Sequence, residues 1–302
     1  MILLRDDQLP ELVESLAHDF PASFNIYYMA RNKMRKHLDW PGVTFVVDRF
    51  PDFAACVCRT DPDDPDVPVF TNGYSAFIHA RDPKKLKELL DQPGIFDWSQ
   101  NIGFHSVQRP AYFEVLQQKC LSLGGKMECS PTSDYFVASA FFTGFSIKDL
   151  HCEYSLPAGY RVGPLEEKHA EQVTREKHYG DLRKNLSFFK YLLRNGFATA
   201  AVFNEHHDPV AYVLQRPEGG MGCGYVVPEY RGRGFFKVVL YELLQEMGRR
   251  GETHGYADVT GDNKASLGAM LSIGGSLYEH FEACWAEFIP KTLANGQLKN
   301  GH

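Results

Sequence analysis

The sequence predicts an α/β fold arranged as two successive halves, and three observations lead there. Its 302 residues suit two domains of about 100–200 residues each. Hydrophobic residues make up 44% of the chain, enough to bury sizeable cores and too many for a mainly disordered protein. Each half also runs helices first and then a strand–turn–strand meander, the pattern of a diverged duplication. The expected division is 1–150 and 151–302.

In the first half, Leu9, Leu12, Val13 and Leu16 recur at helical spacing, which predicts a helix over 9–19. Residues 43–47 and 54–58 are β-rich runs, separated by a turn through Pro51 and Asp52. A third strand is predicted at 74–79. Asp82 then caps a helix that runs to Leu90, with Pro83 in its first turn. Another helix spans 111–123 and stops at Gly124 and Gly125. A buried strand at 135–142 closes this half.

Residues 152–159 lack an amphipathic period and hold Pro157 and Gly159, so they read as a linker. The second half continues with a strand at 160–163 and helices at 166–177 and 181–194. Strands follow at 197–203, 210–215 and 221–227, with a polar turn at 204–209. Then come a helix at 234–250, a strand at 256–260, a helix at 263–272 and a β tail at 276–288.

Charge and cysteine content exclude several functions. Lys+Arg number 32 against 38 Asp+Glu, a net charge of -6, and no long basic run appears. Phosphate-backbone binding needs clustered cations, so no nucleic-acid partner is expected. No stretch reaches the about 18 apolar residues of a bilayer span, so no membrane partner is expected. The start, Met1-Ile-Leu-Leu-Arg-Asp-Asp, has too few apolar residues for a secretory signal, and its acids spoil a transit peptide. Seven scattered cysteines, an odd number, fit reduced thiols in an intracellular protein. Cys56-x-Cys58 lacks the second pair of a zinc site and reads as core. Trp40, Trp98 and Trp285 read as core or interface aromatics, and the acids of 61–66 as a solvated loop without a metal.

The stretch that carries chemistry is Gly224-Tyr-Val-Val-Pro-Glu-Tyr-Arg-Gly-Arg-Gly-Phe-Phe-Lys-Val-Val-Leu. A strand runs into an Arg/Gly loop that opens an amphipathic helix with Val238, Val239, Leu243, Leu244 and Met247 inward. The start of a helix offers free N–H donors and the positive end of its dipole, which suit a pyrophosphate. Gly232 and Gly234 let the backbone curl close to phosphates, and Arg231 and Arg233 add charge-assisted donors. No Gly-Lys-Ser/Thr follows, so this is no Walker loop. Tyr225 stands where a dinucleotide fingerprint needs its third glycine. A nucleotide diphosphate such as coenzyme A fits the loop.

Arg231-Gly-Arg-Gly-Phe-Phe resembles the Arg/Gln-x-x-Gly-x-Gly/Ala loop of the GCN5-related N-acetyltransferase superfamily, with Phe236 where a small residue is usual. Pro228-Glu-Tyr-Arg231 narrows the likeness to the glycine N-acyltransferase-like family. Further likeness lies at Pro21-Ala-Ser23, Val47-Asp-Arg-Phe-Pro-Asp-Phe53, Asp97-Trp-Ser-Gln100, Glu167-Lys-His-Ala170 and Pro209-Val210. It covers nearly the whole chain, to about Pro290. The resemblance implies tandem GCN5-type folds, mixed and mostly antiparallel sheets flanked by helices. The first fold is degenerate and the second active.

It also implies acyl transfer from acyl-coenzyme A, as co-substrate and without a metal, to glycine or a similar small amine. Contacts to coenzyme A are expected from Val226, Val227, Arg231, Gly232, Arg233, Gly234, Phe235 and Phe236, with Asn263 and Ser266. A mitochondrial or cytoplasmic location follows from the family. The strand at 221–227 is expected to splay from its neighbour, and an amide near Val226 to polarise the thioester carbonyl.

Family members carry a glutamate early on this strand, where this chain has Gly220. A general base must then come from elsewhere. Glu218 is one candidate, on the same strand face if the strand extends that far, and otherwise a plain turn residue. His178, beside Tyr179, is the other, and His206-His207 reads as a solvated turn. The wider superfamily's tyrosine acid is replaced by Met270. The lost glutamate supports one alternative, a non-catalytic acyl-coenzyme A-binding module; a second alternative, a protein N-acetyltransferase, would need an open peptide groove.

Overall fold

The computed structural model describes residues 1–37, 42–60, 74–109, 111–129, 140–176, 182–260 and 263–291. The chain forms two compact units, Met1–Ser139 with Phe281–His302, and Ala140–His280. Residues 281–291, late in the chain, belong to the first unit.

The first unit runs β1 (Ile2–Leu3), α1 (Leu9–Ala17), α2 (Phe24–Met34), β2 (Thr44–Val47), β3 (Ala55–Arg59) and β4 (Tyr74–Ala80). It continues with α3 (Pro83–Leu90), β5 (Ile102–Arg109), α4 (Ala111–Ser122) and β6 (Lys126–Cys129). Strands β1 to β4 pair antiparallel in order. A parallel pair needs a crossover, and α3 supplies it between β4 and β5, which pair from Tyr74↔Ile102 to Ala76↔Phe104. Val57, Ile78, Leu86, Leu89, Phe104 and Leu116 fill the core beneath.

The second unit runs β7 (Ala140–Ser146), β8 (Arg161–Gly163), α5 (Ala170–Glu176), α6 (Leu182–Arg194), β9 (Thr199–Phe203) and β10 (Pro209–Gln215). Then come β11 (Met221–Val226), α7 (Phe235–Arg249), β12 (His254–Thr260), α8 (Lys264–Leu271) and β13 (Ser276–Ile289). A four-stranded sheet has the order β11-β10-β9-β8, and β12 pairs antiparallel with β7. Val238, Val239, Leu243, Leu244 and Met247 are the buried face of α7, as their spacing predicts, and α7 packs on β9 and β10. Residues 282–289 of β13 belong to the first unit and pair there with β5 and β6.

The element order repeats. From β1 to β6 the first half reads strand, two helices, three strands, helix, strand, helix, strand, and β8 to β13 read the same. One difference decides where an anion can sit. Helix α3 carries Pro83 in its first turn, and the Asp82 carboxylate accepts the Lys84 amide at 2.9 Å. Its start already holds an acid. Helix α7 has no such cap.

Most predicted elements recur within a few residues. Helix α2 was not predicted, because Phe24, Ile26, Tyr27, Tyr28, Met29 and Ala30 bury it on several sides and erase any amphipathic stripe. Strand β5 hides behind its buried His105 and Ser106. The strand expected at 135–142 lies at Ala140–Ser146, with 130–139 outside the described residues. Trp40 and the acids of 61–66 also lie outside them. Trp98 packs its ring against Phe96 and Phe288 at 5.3 and 5.4 Å, and Trp285 is half-buried. Cys56 and Cys58 are free, fully buried thiols, and burial pushes both above the ordinary thiol range.

Candidate functional site

The site grows from the way β11 leaves its neighbours. On one side β11 pairs with β10, with a bulge where the register passes from Tyr212↔Tyr225 to Leu214↔Gly222. Cys223 takes φ 56° there. On the other side a single parallel bridge, Gly220↔Tyr256, joins the approach to β11 with β12. Among the described residues no further ladder follows, so the two strands splay as expected. The Val227 amide donates to Val210 O at 2.9 Å, towards β10. Backbone groups alternate along a strand, so the Val226 amide and carbonyl point into the splay.

Beyond β11 the chain turns through Pro228–Tyr230 into the Arg/Gly loop. Gly232 and Gly234 have φ 76° and 77°, the left-handed region that glycine adopts without strain. A Cβ at either position would meet nothing within 4 Å, so conformation rather than space requires glycine. Gly234 is the N-cap of α7, and no side chain caps the helix. Among the described residues, no backbone carbonyl takes the amides of Gly232 to Phe236. Five amides are therefore left without a backbone acceptor at the positive end of a 15-residue helix.

Both arginines stand exposed beside these donors. Arg231 Nε donates to Val226 O at 3.1 Å, and its guanidinium lies 5.9 Å from the Tyr225 ring. Arg233 donates to Glu229 O at 3.2 Å and lies over the Tyr230 ring at 5.1 Å. The unusual Phe236 has a local explanation. A Cβ on Gly224 would stand 2.7 Å from its ring, so the glycine makes room for the aromatic. Phe235 is buried against Tyr160, which leaves its amide as the group facing the loop.

Two expected contacts change character. Val227 uses both backbone groups internally, since its carbonyl accepts the Tyr230 amide at 2.9 Å. Its backbone therefore offers a ligand nothing. Asn263 caps α8, with its side-chain oxygen accepting the Ser266 amide at 3.1 Å. Met270 is buried in the core, as a methionine in place of a tyrosine acid should be.

His178 and Tyr179 lie outside the described residues. His206 and His207 are exposed in the turn between β9 and β10. Glu218 is neither a strand residue nor a solvated turn residue. Strand β11 begins at Met221, and residues 216–220 form a turn in which Gly219 N bonds Arg216 O at 2.8 Å. The Glu218 side chain folds inward and is only 4% exposed, with Oε1 2.6 Å from Arg216 Nε. Arg216 also reaches Asp258 of β12, Nη2 to Oδ2 at 3.4 Å. Burial alone would lower the Arg216 pKa, but Glu218 and Asp258 outweigh it and hold it above the ordinary arginine value.

This arginine fills the slot left by the missing glutamate. A Cβ on Gly220 would stand 2.6 Å from Arg216 Nη2, and one on Gly222 would stand 2.9 Å from its Cδ. Neither Arg216 nor Asp258 was expected from the sequence. The signal available was alternation, with two glycines on one strand face just after an arginine that needs room.

The sheet order and this loop invite comparison with known proteins. A family model described as aralkyl acyl-CoA:amino acid N-acyltransferase matches residues 1–197. Glycine N-acyltransferase of Homo sapiens is 26% identical over 263 residues, covering 83% of this chain and 87% of its own. Glycine N-phenylacetyltransferase of Bos taurus is 24% identical over 254 residues, covering 80% and 83%. An X-ray structure of a Drosophila protein superposes with TM-score 0.74 at 18% identity, covering 96% of this chain and 98% of that one. A tandem GNAT protein from the clavulanic acid biosynthesis pathway matches at TM-score 0.51 and 12% identity, covering 95% and 97%. The structures establish the tandem fold that the repeated element order shows. With a family model matching residues 1–197, well over half of its length, the chain belongs to the aralkyl acyl-CoA:amino acid N-acyltransferase family.

Proposed function

We propose that this chain moves an acyl group from acyl-coenzyme A to the amino group of glycine or a similar small amine. The observation that carries the reading is the open edge of β11 leading into the uncapped, glycine-built start of α7. The family and its glycine-acylating relatives support the same chemistry. The amides of Gly232 to Phe236, with Arg231 and Arg233, hold the pyrophosphate of the co-substrate. Asn263 and Ser266 at the start of α8 are the second contact. The Val226 amide, pointing into the splay, donates to the thioester oxygen as negative charge builds there. Glu218 or His178 takes the proton of the acceptor.

Thiol release tests the reading. The protein is supplied with acetyl-, benzoyl- or long-chain acyl-coenzyme A and a panel of small amines, glycine first. Glycine-dependent release of free thiol is the expected result. Coenzyme A binding without thiol release from any pair would instead make the chain a binding module.

A further inference from the structure

We infer that Glu176 binds the acceptor as an ammonium ion before it reacts, with Tyr212 and Gln172 positioning the carboxylate. The inference rests on the N-acyltransferase reading above and names the charge by which its acceptor is recognised.

The first argument is a charge held by neutral groups. Glu176 is half-buried at the end of α5. Its Oε2 accepts the Tyr212 hydroxyl at 2.7 Å, and its Oε1 accepts the Gln172 side-chain amide at 3.1 Å. Both donors are uncharged, and among the described residues this carboxylate makes no salt bridge. Each oxygen keeps a further lone pair. An ammonium placed there gains a charge-assisted hydrogen bond, whereas a second carboxylate is repelled.

The second argument is rigidity. The Gln172 amide also donates to Pro209 O at 3.0 Å, which ties it to the start of β10. Tyr212 is fully buried, and burial first, then Glu176, hold its hydroxyl above the ordinary phenol range. It therefore stays a donor to the carboxylate. With both oxygens pinned, little side-chain freedom remains to be lost when a ligand binds.

Position is the third. Tyr212 lies opposite Tyr225 on β11, with the two rings 5.9 Å apart, and Tyr225 precedes Val226. One tyrosine pair thus links Glu176 to the stretch of β11 that offers its amide to the thioester. Side chains alternate along a strand, so Tyr225 and Gly224 face opposite sides of the sheet. Phe236 of α7 covers the Gly224 side. Glu176 and the start of α7 therefore serve the two faces of β11, which lets acceptor and co-substrate be held at the same time.

The test measures thiol release with the acceptor amine as varied substrate, glycine first, and coenzyme A affinity beside it. Glu176→Gln should raise the amine KM about ten-fold, the loss of one charge-assisted hydrogen bond, and far more than it lowers kcat. Glu176→Asp keeps the charge and should recover part of that loss. Tyr212→Phe removes one positioning bond and should raise KM less. Trimethylammonium, a cation that cannot yield a stable amide, should compete with the amine in wild type and fail to compete in Glu176→Gln. A purely structural role for Glu176 would not produce that difference. A folded Glu176→Gln protein with wild-type KM overturns the inference, as does one that loses only kcat. If this variant no longer binds coenzyme A, trimethylammonium decides, and its failure to compete in wild type overturns the inference. In each of these cases wild-type turnover leaves the proposed function standing. Absence of thiol release from every pair defeats that function and the inference with it.

Discussion

Replacing Arg231 with alanine will weaken coenzyme A binding by about 1.5–3 kcal/mol, the range of a hydrogen bond to a charged group. That is a loss of about ten- to a hundred-fold in affinity. The guanidinium is held in place before any ligand arrives, by its bond to Val226 O and by the Tyr225 ring. Little side-chain entropy remains to be lost on binding, which keeps the effect near the upper part of the range. The side chain is exposed, so added salt will screen the contact and shrink the difference between wild type and variant. Calorimetry at low and high salt measures both. Unchanged affinity in a folded variant would place the pyrophosphate elsewhere.

Gly220→Ala will destabilise the protein by about 2–4 kcal/mol, because it breaks a buried ion pair rather than a backbone preference. At a glycine whose conformation suits alanine, the same change usually stabilises by about 0.4–1 kcal/mol. Gly220 is not among the glycines with positive φ, so the backbone permits alanine. Space does not. The new methyl would stand 2.6 Å from Arg216 Nη2 and 3.3 Å from the Tyr256 ring. Pushing the guanidinium aside strips Glu218 and Asp258 of their shared cation. A fall in Tm of about 5–15 °C follows for a unit of this size. In an Arg216→Met background the same substitution should cost far less, since the two sites touch and their effects cannot add. A neutral or stabilising Gly220→Ala would mean that Arg216 does not occupy the slot. By the same reasoning, a glutamate at 220 is not a simple restoration of the family residue here.

The loop was legible because its chemistry is backbone chemistry. Glycines at 232 and 234, a helix start and two arginines specify donors whatever the rest of the fold does. The amphipathic helices were legible for the same reason, each carrying its own period. Position 220 was legible only as a gap. Counting along the strand found the missing glutamate, but the arginine that fills its place comes from the end of the preceding strand. Asp258 comes from the strand across the splay. Such contacts depend on tertiary pairing, which no local pattern records. Glu218 shows the cost of reading locally: beside Pro217 and Gly219 it looks like a turn residue, and the turn is real. Its side chain nevertheless folds inward. Helix α2 was missed for the opposite reason, since burial on several sides removes the stripe that marks a helix.

The central claim is that the second unit alone binds the co-substrate, at the start of α7. A crystal structure with coenzyme A tests it most directly. The account predicts pyrophosphate oxygens within hydrogen-bond distance of amides between Gly232 and Phe236, with the Arg231 guanidinium beside them. Coenzyme A seated in the first unit, where Asp82 already caps α3, would contradict it.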